Sequence, residues 1–123
     1  MTQRAVKKIG EIRALENGSG LRFECLDPDD CNASINGFAI SHVGRVFAYA
    51  NRCPHLGVEL DWTPGEFFNP DNSHLICSTH GALFEPDTGR CVSGPCTGQS
   101  LTPVPVIERS GELFLSEEQA PTS

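Results

Sequence analysis

Cys53-Pro54-His55-Leu56-Gly57 and Cys77-Ser78-Thr79-His80-Gly81 are the two stretches that decide how this sequence is interpreted. In each stretch one cysteine and one histidine lie close enough to bind the same metal centre from a single loop. Thiolate and imidazole ligands together suit zinc, copper or an iron–sulfur cluster. A glycine follows each pair, and a glycine permits the tight backbone turn that exposes N–H groups to an anionic sulfur.

The residues that precede the first stretch have the alternating pattern of short β-strands. Residues 34–41 and 45–50 predict two strands around a turn at Val43-Gly44. In each strand the apolar residues fall on one face. They are Phe38 and Ile40 in the first strand, and Val46, Ala48 and Ala50 in the second.

Strand patterns also occur near both ends of the chain. Asn17-Gly18 predicts a hairpin turn between residues 12–15 and 21–25. Beyond Gly98 the alternation returns on both sides of a turn at Ser110-Gly111. The apolar pairs that share a strand face there are Val104 with Val106 and Leu113 with Leu115.

Between these strand regions, residues 51–98 are rich in Cys, His, Gly and Pro and have little periodicity. The length of 123 residues corresponds to one domain. We therefore expect an all-β fold in which residues 1–116 form a single domain, with a loop-rich metal-binding subdomain at about residues 51–98. Residues 117–123 are expected to form a polar tail.

Sixteen acidic residues against nine basic ones give a net charge of −7. An acidic surface repels nucleic-acid phosphates and anionic lipid and favours a partner with a basic docking face, although it also suits simple solubility.

No segment has the roughly 20 apolar residues of a membrane span, and no apolar run follows the basic residues of the N-terminus. We therefore expect a cytoplasmic protein that binds neither nucleic acid nor membrane. In that compartment, cysteines indicate metal ligands or thiols before disulfides.

CPHLG at 53–57, CSTHGALF at 77–84 and PDTGRCVSGP at 86–95 follow one another in this chain. This order resembles the Rieske family, whose pattern is Cys-x-His-x-Gly, a spacer, Cys-x-x-His-Gly-x-x-Phe, and then a turn with Thr-Gly and Gly-Pro. The spacer between His55 and Cys77 has 21 residues. It is longer than in compact Rieske ferredoxins, and a loop at residues 69–73 accounts for the extra length.

The resemblance implies a Rieske-type antiparallel β-sandwich that carries one [2Fe–2S] cluster in its inserted subdomain. By position, Cys53 and Cys77 would bind one iron, and His55 and His80 would bind the other. Two neutral imidazoles in place of two thiolates favour the reduced state, so Rieske centres lie at roughly −150 to +300 mV, against about −400 mV for plant-type ferredoxins.

Two departures from the high-potential branch of the family predict a low reduction potential. Val58 and Thr79 stand where that branch has two cysteines joined by a disulfide. Ala82 and Phe84 stand where it has hydroxyl groups near the cluster sulfurs. Fewer hydrogen bonds to sulfur stabilise the reduced cluster less, so we expect a potential below about 0 mV.

A structural zinc site is the rival interpretation of the same four ligands. Zinc accepts sets of two cysteines and two histidines. Zinc fingers normally pair Cys with Cys and His with His, whereas here the two types alternate. A zinc-held interaction module therefore stays as the less favoured alternative.

The other cysteines suit structural roles. We expect Cys25 in the core and Cys31 in a polar loop. Cys91 and Cys96 follow the second stretch with four residues between them and could form a disulfide, but a reducing compartment favours packing for both.

The remaining histidines and the aromatic residues of the insert also lack a chemical pattern. His42 and His74 have no cysteine at ligand spacing, so we interpret them as surface or strand residues. Trp62, Phe67 and Phe68 are expected to form a small core within the insert.

The function that the resemblance implies is one-electron transfer. The redox partners would be proteins such as a flavin reductase and a terminal oxygenase, and no catalytic residue or small-molecule substrate pocket is expected. An oxygenase needs a separate iron site of two histidines and a carboxylate, and only His42 and His74 remain for it. The alternatives are a small Rieske subunit of a larger oxidoreductase and, with no positive feature behind it, a redox or iron sensor.

Overall fold

The computed structural model describes residues 6–27, 30–54, 59–61, 66–77, 81–94 and 97–116. Within them the fold is nearly all-β: one 3₁₀ helix, Ile12–Gly18, accompanies nine strands. The strands are β1 Val6–Glu11, β2 Leu21–Asp27, β3 Asp30–His42, β4 Arg45–Ala50, β5 Leu75–Ile76, β6 Leu83–Phe84, β7 Cys91–Ser93, β8 Val106–Arg109 and β9 Glu112–Ser116. They form three antiparallel sheets in the orders β1-β9-β8, β2-β3-β4 and β5-β6-β7.

The middle sheet, β2-β3-β4, has a hydrophobic core on each face. Phe38 and Ile40 of β3 point into one core, and Ala39 between them points into the other. Ala48 and Ala50 of β4 join the second core, against which Val46 packs. The predicted strand faces are therefore confirmed, and they follow from the two-residue period of a strand.

The turn between β3 and β4 lies at Val43-Gly44, as predicted. Both residues have positive φ, 52° and 77°. Two positive φ values fit the right-handed twist of a hairpin. The turn at Ser110-Gly111 between β8 and β9 has the same signature, with φ of 52° and 80°, and Val104, Leu113 and Leu115 enter the core that contains Ala39.

The hairpin predicted between residues 12–15 and 21–25 is wrong. Residues 12–15 lie in the 3₁₀ helix, and β2 pairs with β3 instead. The preceding strand, β1, pairs with β9 of another sheet, so the chain must cross from one sheet to the next before β2 begins. Leu15, 2% exposed, anchors this crossing in the core.

The small sheet β5-β6-β7 packs against the middle sheet through aromatic rings. Phe67 stacks on Phe38, with ring centroids 4.0 Å apart and planes 11° apart. Both are fully buried, and Phe68 packs against the same core. The insert therefore shares its core with the middle sheet, whereas Trp62 lies outside the described residues.

Two cysteines outside the two stretches have defined positions. Cys25 is buried, as expected. The backbone of Cys31 belongs to β3 and not to a polar loop, because β2 and β3 already pair at Asp27 and Asp30.

The domain boundaries at 116 and 117 stay a prediction, since residues 117–123 lie outside the described part. No helix among the described residues is long and apolar enough to cross a membrane.

Candidate metal centre

The first cysteine stretch begins where β4 ends. The N–H of Asn51 donates to the carbonyl oxygen of Asn36 at 2.9 Å, and the N–H of Ala50 donates to that of Thr102 at 2.8 Å. These two bonds tie residues 50 and 51 to β3 and to residue 102, just before Cys53 in the sequence. The Cys53 side chain is 3% exposed, so its sulfur is shielded from water.

Arg52 fastens the same backbone to a neighbouring strand. Its guanidinium donates two hydrogen bonds to the two carboxylate oxygens of Asp27, both at 3.1 Å. Paired hydrogen bonds between guanidinium and carboxylate restrict geometry more than a single bond does. The residue next to Cys53 is therefore held against the end of β2.

Asn51 joins the two ends of the stretch that contains Cys53 and His55. Its Oδ1 accepts a hydrogen bond from the N–H of Leu60 at 2.8 Å. Its Nδ2 donates to Oδ1 of Asp61 at 2.9 Å. Asn51 is 4% exposed and Asp61 is 6% exposed. One buried amide thus joins residue 51 to residues 60 and 61; we call residues 51–61 the first loop.

Two carboxylates at the far end of the first loop meet Arg22 of β2. Nη2 of Arg22 donates to Oε1 of Glu59 at 2.9 Å, and Nε of Arg22 lies 3.5 Å from Oδ2 of Asp61. Glu59 also accepts a hydrogen bond from Nδ2 of Asn36 on β3. The first loop is therefore tied to two strands of the middle sheet by charge-assisted contacts.

Cys77 and Gly81, the first and last residues of the second cysteine stretch, lie between β5 and β6. The N–H of Cys77 donates to the carbonyl oxygen of Ala82 at 2.9 Å, and the N–H of Gly81 donates to that of Cys77 at 2.8 Å. Gly81 has a φ of 72°, a value that favours glycine. The predicted tight turn after this Cys-His pair is therefore confirmed at Gly81. We call residues 77–82 the second loop.

The fold brings the two predicted cysteine ligands into one core. Cys53 and Cys77, 3% and 1% exposed, belong to the same buried cluster. Ala82 and Phe84, also buried, belong to it as well. Two thiols in an apolar, water-poor setting fit a thiolate-bound iron centre. The side chains of Ala82 and Phe84 carry no hydroxyl group, so neither could donate an O–H bond to a cluster sulfur.

A third segment packs directly on the second loop. Gly94 has a φ of 106°, and a Cβ added to it would lie 2.9 Å from Cα of Ala82. Glycine is therefore required there by close approach as well as by backbone conformation. Cys91, buried in the same core as the two cysteine ligands, donates from its thiol to the carbonyl oxygen of Ser93 at 3.3 Å. This fits the packing role; Cys96 lies outside the described residues.

The two predicted histidine ligands, His55 and His80, lie outside the described residues, as do Val58 and Thr79. Cys53 and Cys77 lie in one buried cluster, and the assignment of all four residues as ligands stays a prediction. His42 lies in β3, a strand position as predicted, whereas His74 is a partly buried residue of the loop before β5. The ring of His42 stacks on Phe68, and Nδ1 of His74 lies 2.9 Å from Oγ of Ser73.

Sequence reasoning missed Asn51, Glu59, Asp61 and Arg22. The available signal was Asp61, an acidic residue between the apolar Leu60 and Trp62. A surface groove of about 300 Å³ was also unexpected. It lies between β4 and residues 103–106, and its lining residues belong to neither loop.

Comparison with known proteins identifies the fold family. The family model of the Rieske [2Fe-2S] domain matches residues 6–108. The chain belongs to this family. The cofactor of a Rieske domain is a [2Fe–2S] cluster, and the buried Cys53 and Cys77 fit its sulfur-bound iron. A search of curated proteins gave no match.

Solved Rieske structures have the same fold at low sequence identity. The ferredoxin of carbazole 1,9a-dioxygenase from Nocardioides aromaticivorans IC177 matches with a TM-score of 0.67 and 17% identity, over 95% of this chain and 100% of that one. The terminal oxygenase of carbazole 1,9a-dioxygenase from Novosphingobium sp. KA1 matches with a TM-score of 0.71 and 22% identity, over 96% of this chain and 31% of that one.

A third match comes from a complex. In the reduced complex between oxygenase and ferredoxin in carbazole 1,9a-dioxygenase, the matched chain has a TM-score of 0.71 and 17% identity, with 94% of this chain covered and 29% of that one. This Rieske chain therefore spans less than a third of the longer chains it matches. At these identities the likeness is one of fold.

Proposed function

We propose that this protein carries single electrons on one Rieske [2Fe–2S] cluster, which Cys53 and Cys77 bind through one iron and His55 and His80 through the other. The observation that carries the proposal is the burial of Cys53 and Cys77 in one core of a Rieske domain. When bound, the cluster supplies a site that takes up and releases one electron. No catalytic residue is assigned.

The described residues serve this function by holding the two loops and excluding water. The hydrogen bonds of Asn51 close the first loop, and those of Cys77 and Gly81 shape the second. Fixed loops keep ligand geometry unchanged between the two redox states. When the ligand geometry differs little between the oxidised and reduced states, the reorganisation energy is small and electron transfer is faster.

We further propose that the partners are redox proteins, such as a flavin reductase that donates and a terminal oxygenase that accepts. Support comes from solved structures of similar fold that contain a complex of oxygenase and ferredoxin. The net charge of −7 favours partners with basic docking faces and faster encounter at low salt. A cytoplasmic location is part of the proposal.

A second candidate is a small Rieske subunit of a larger oxidoreductase. The observation in its favour is that the same fold occurs within longer oxygenase chains, of which this chain covers 31% in one case. Gel filtration of the natively expressed protein separates the two candidates. A carrier elutes alone, whereas a subunit co-elutes with a larger chain.

The direct test is a reductive titration of the purified protein followed by visible absorbance. We expect uptake of one electron per chain and its transfer to an added one-electron acceptor. Cys53→Ser and Cys77→Ser should abolish both, whereas the buried Cys25→Ser should retain them. A protein that binds two irons yet exchanges no electron, or that binds only zinc, contradicts the proposal.

A further inference from the structure

The first loop has an ionic attachment to the middle sheet that the Rieske ligand pattern does not include. Asp61 lies at the far end of the loop, and its carboxylate side chain has no exposed surface. A buried carboxylate is costly unless a positive charge or hydrogen-bond donors compensate it. Arg22 of β2, with Nε 3.5 Å from Oδ2 of Asp61, supplies such a charge.

Arg22 and Asn51 divide the task of holding Asp61. Nδ2 of Asn51 contacts Oδ1, while the guanidinium of Arg22 faces Oδ2. The same guanidinium donates to Glu59 two residues earlier. Arg22 therefore contacts two positions at the far end of the first loop, and Asn51 ties that end back to the residue two positions before Cys53.

We propose that Arg22 is a positioning residue that holds residues 59–61, the far end of the first loop, against β2 by compensating the buried charge of Asp61. This inference rests on the proposed function, because it assumes that the loop holds a cluster through Cys53 and His55. Arg22 acts through Asp61 and Glu59 and is not itself a ligand. Loss of Arg22 removes a positive charge from beside the buried Asp61 carboxylate, which weakens the hold of residues 59–61 on β2.

The test is a double-mutant cycle on the cluster-loaded protein, with Arg22→Gln, Asp61→Asn and both together. The readout is the rate of cluster loss to a ferrous chelator, followed by visible absorbance. We expect R22Q to lose the cluster about tenfold faster, the change that about 1.4 kcal/mol produces. Asn at position 61 still accepts from Asn51 but needs no cation, so the double variant should stay within about threefold of the wild type.

Lys8→Gln is the matched control. It removes the same charge from an ion pair on another sheet, where Nζ of Lys8 lies 3.0 Å from Oε2 of Glu112. We expect no change in the rate of cluster loss. The midpoint potential is a second readout: R22Q should lower it by removing a positive charge, and R22Q/D61N should return it toward the wild type.

Should R22Q fail to fold, Arg22→Lys replaces it in the same cycle with a smaller expected effect of about threefold. An unchanged rate in R22Q, or a double variant as fast as R22Q, overturns the role of Arg22 and leaves the proposed function intact. A wild-type protein that takes up no [2Fe–2S] cluster overturns the proposed function, and this inference with it.

Discussion

Nδ2 of Asn51 donates a hydrogen bond to Oδ1 of Asp61 at 2.9 Å, and both side chains are buried. With the bond from the N–H of Leu60 to Oδ1 of Asn51, this contact makes one amide the closure of the first loop. Cys53 lies inside that closure. The position of Cys53 therefore depends on Asn51, which is not one of the predicted cluster ligands.

Replacing Asn51 with Ala should destabilise the protein by about 2–4 kcal/mol, because a buried N–H and a buried carboxylate oxygen each lose a partner. Denaturant unfolding of the wild type and the variant measures the difference. Asn69→Ala is the control, since Oδ1 of Asn69 accepts backbone N–H bonds from Ser73 and His74 in a turn that is more exposed than the surroundings of Asn51. We expect less than about 1 kcal/mol there. Equal losses in the two variants would contradict the closure role.

Gly94→Ala should destabilise the contact between the third segment and the second loop. Its new Cβ would lie 2.9 Å from Cα of Ala82, on top of the cost of positive φ. Gly98→Ala carries a similar backbone cost, with φ of 93° and no neighbour within 4 Å. We expect about 1–2 kcal/mol for G98A and a further 1–3 kcal/mol for G94A. Thermal unfolding of both variants gives the comparison, and an equal effect would show that the contact is unimportant.

Tyr49 provides a pH-dependent contribution to stability. Burial, with a smaller effect of Asp87, raises its pKa from 10.0 to about 12, and its hydroxyl donates to the carbonyl oxygen of Pro86 at 2.8 Å. Because the unfolded phenol ionises first, this contribution is complete below pH 10 and is lost as pH rises from 10 to about 12.

The measurement is direct because Tyr49 is the one tyrosine of the chain. Near-ultraviolet absorbance should show phenolate formation in the folded protein well above pH 10. The unfolding free energy of Tyr49→Phe, compared with the wild type, should lack this pH-dependent loss. A folded-state titration at the ordinary tyrosine pKa would contradict the burial argument.

The reduction potential should lie at the low end of the Rieske range, below about 0 mV. The buried Ala82 and Phe84 side chains donate no hydrogen bond to a cluster sulfur, and each missing hydrogen bond leaves the reduced state less stabilised. Protein-film voltammetry measures the midpoint. A value above about +150 mV would show that other donors compensate.

The sequence predicted the parts of the fold that local patterns encode. Alternation placed Phe38 and Ile40 on one strand face, and glycine spacing placed the turn at Gly81. It could not predict that residues 12–15 form a 3₁₀ helix, because that depends on β1 pairing with β9, a strand about a hundred residues away. Strand pairing between distant segments leaves little trace in either segment alone.

The candidate site divides in the same way. Motif spacing was enough to predict Cys53 and Cys77 as candidate ligands, because each lies within three residues of a histidine that could bind the same centre. The ion pair between Arg22 and Asp61 could not be predicted, because Asp61 stands out between the apolar Leu60 and Trp62 but nothing in the sequence identifies its partner on β2. Long-range compensation of a buried charge is a property of the packed structure.

The ligand set itself is tested most directly by EPR of the reduced protein with ¹⁵N-labelled histidine. We expect a [2Fe–2S] signal with hyperfine coupling to two imidazole nitrogens, which disappear one at a time in His55→Cys and His80→Cys. A signal without nitrogen coupling, or a colourless protein that holds one zinc ion per chain, would contradict the account.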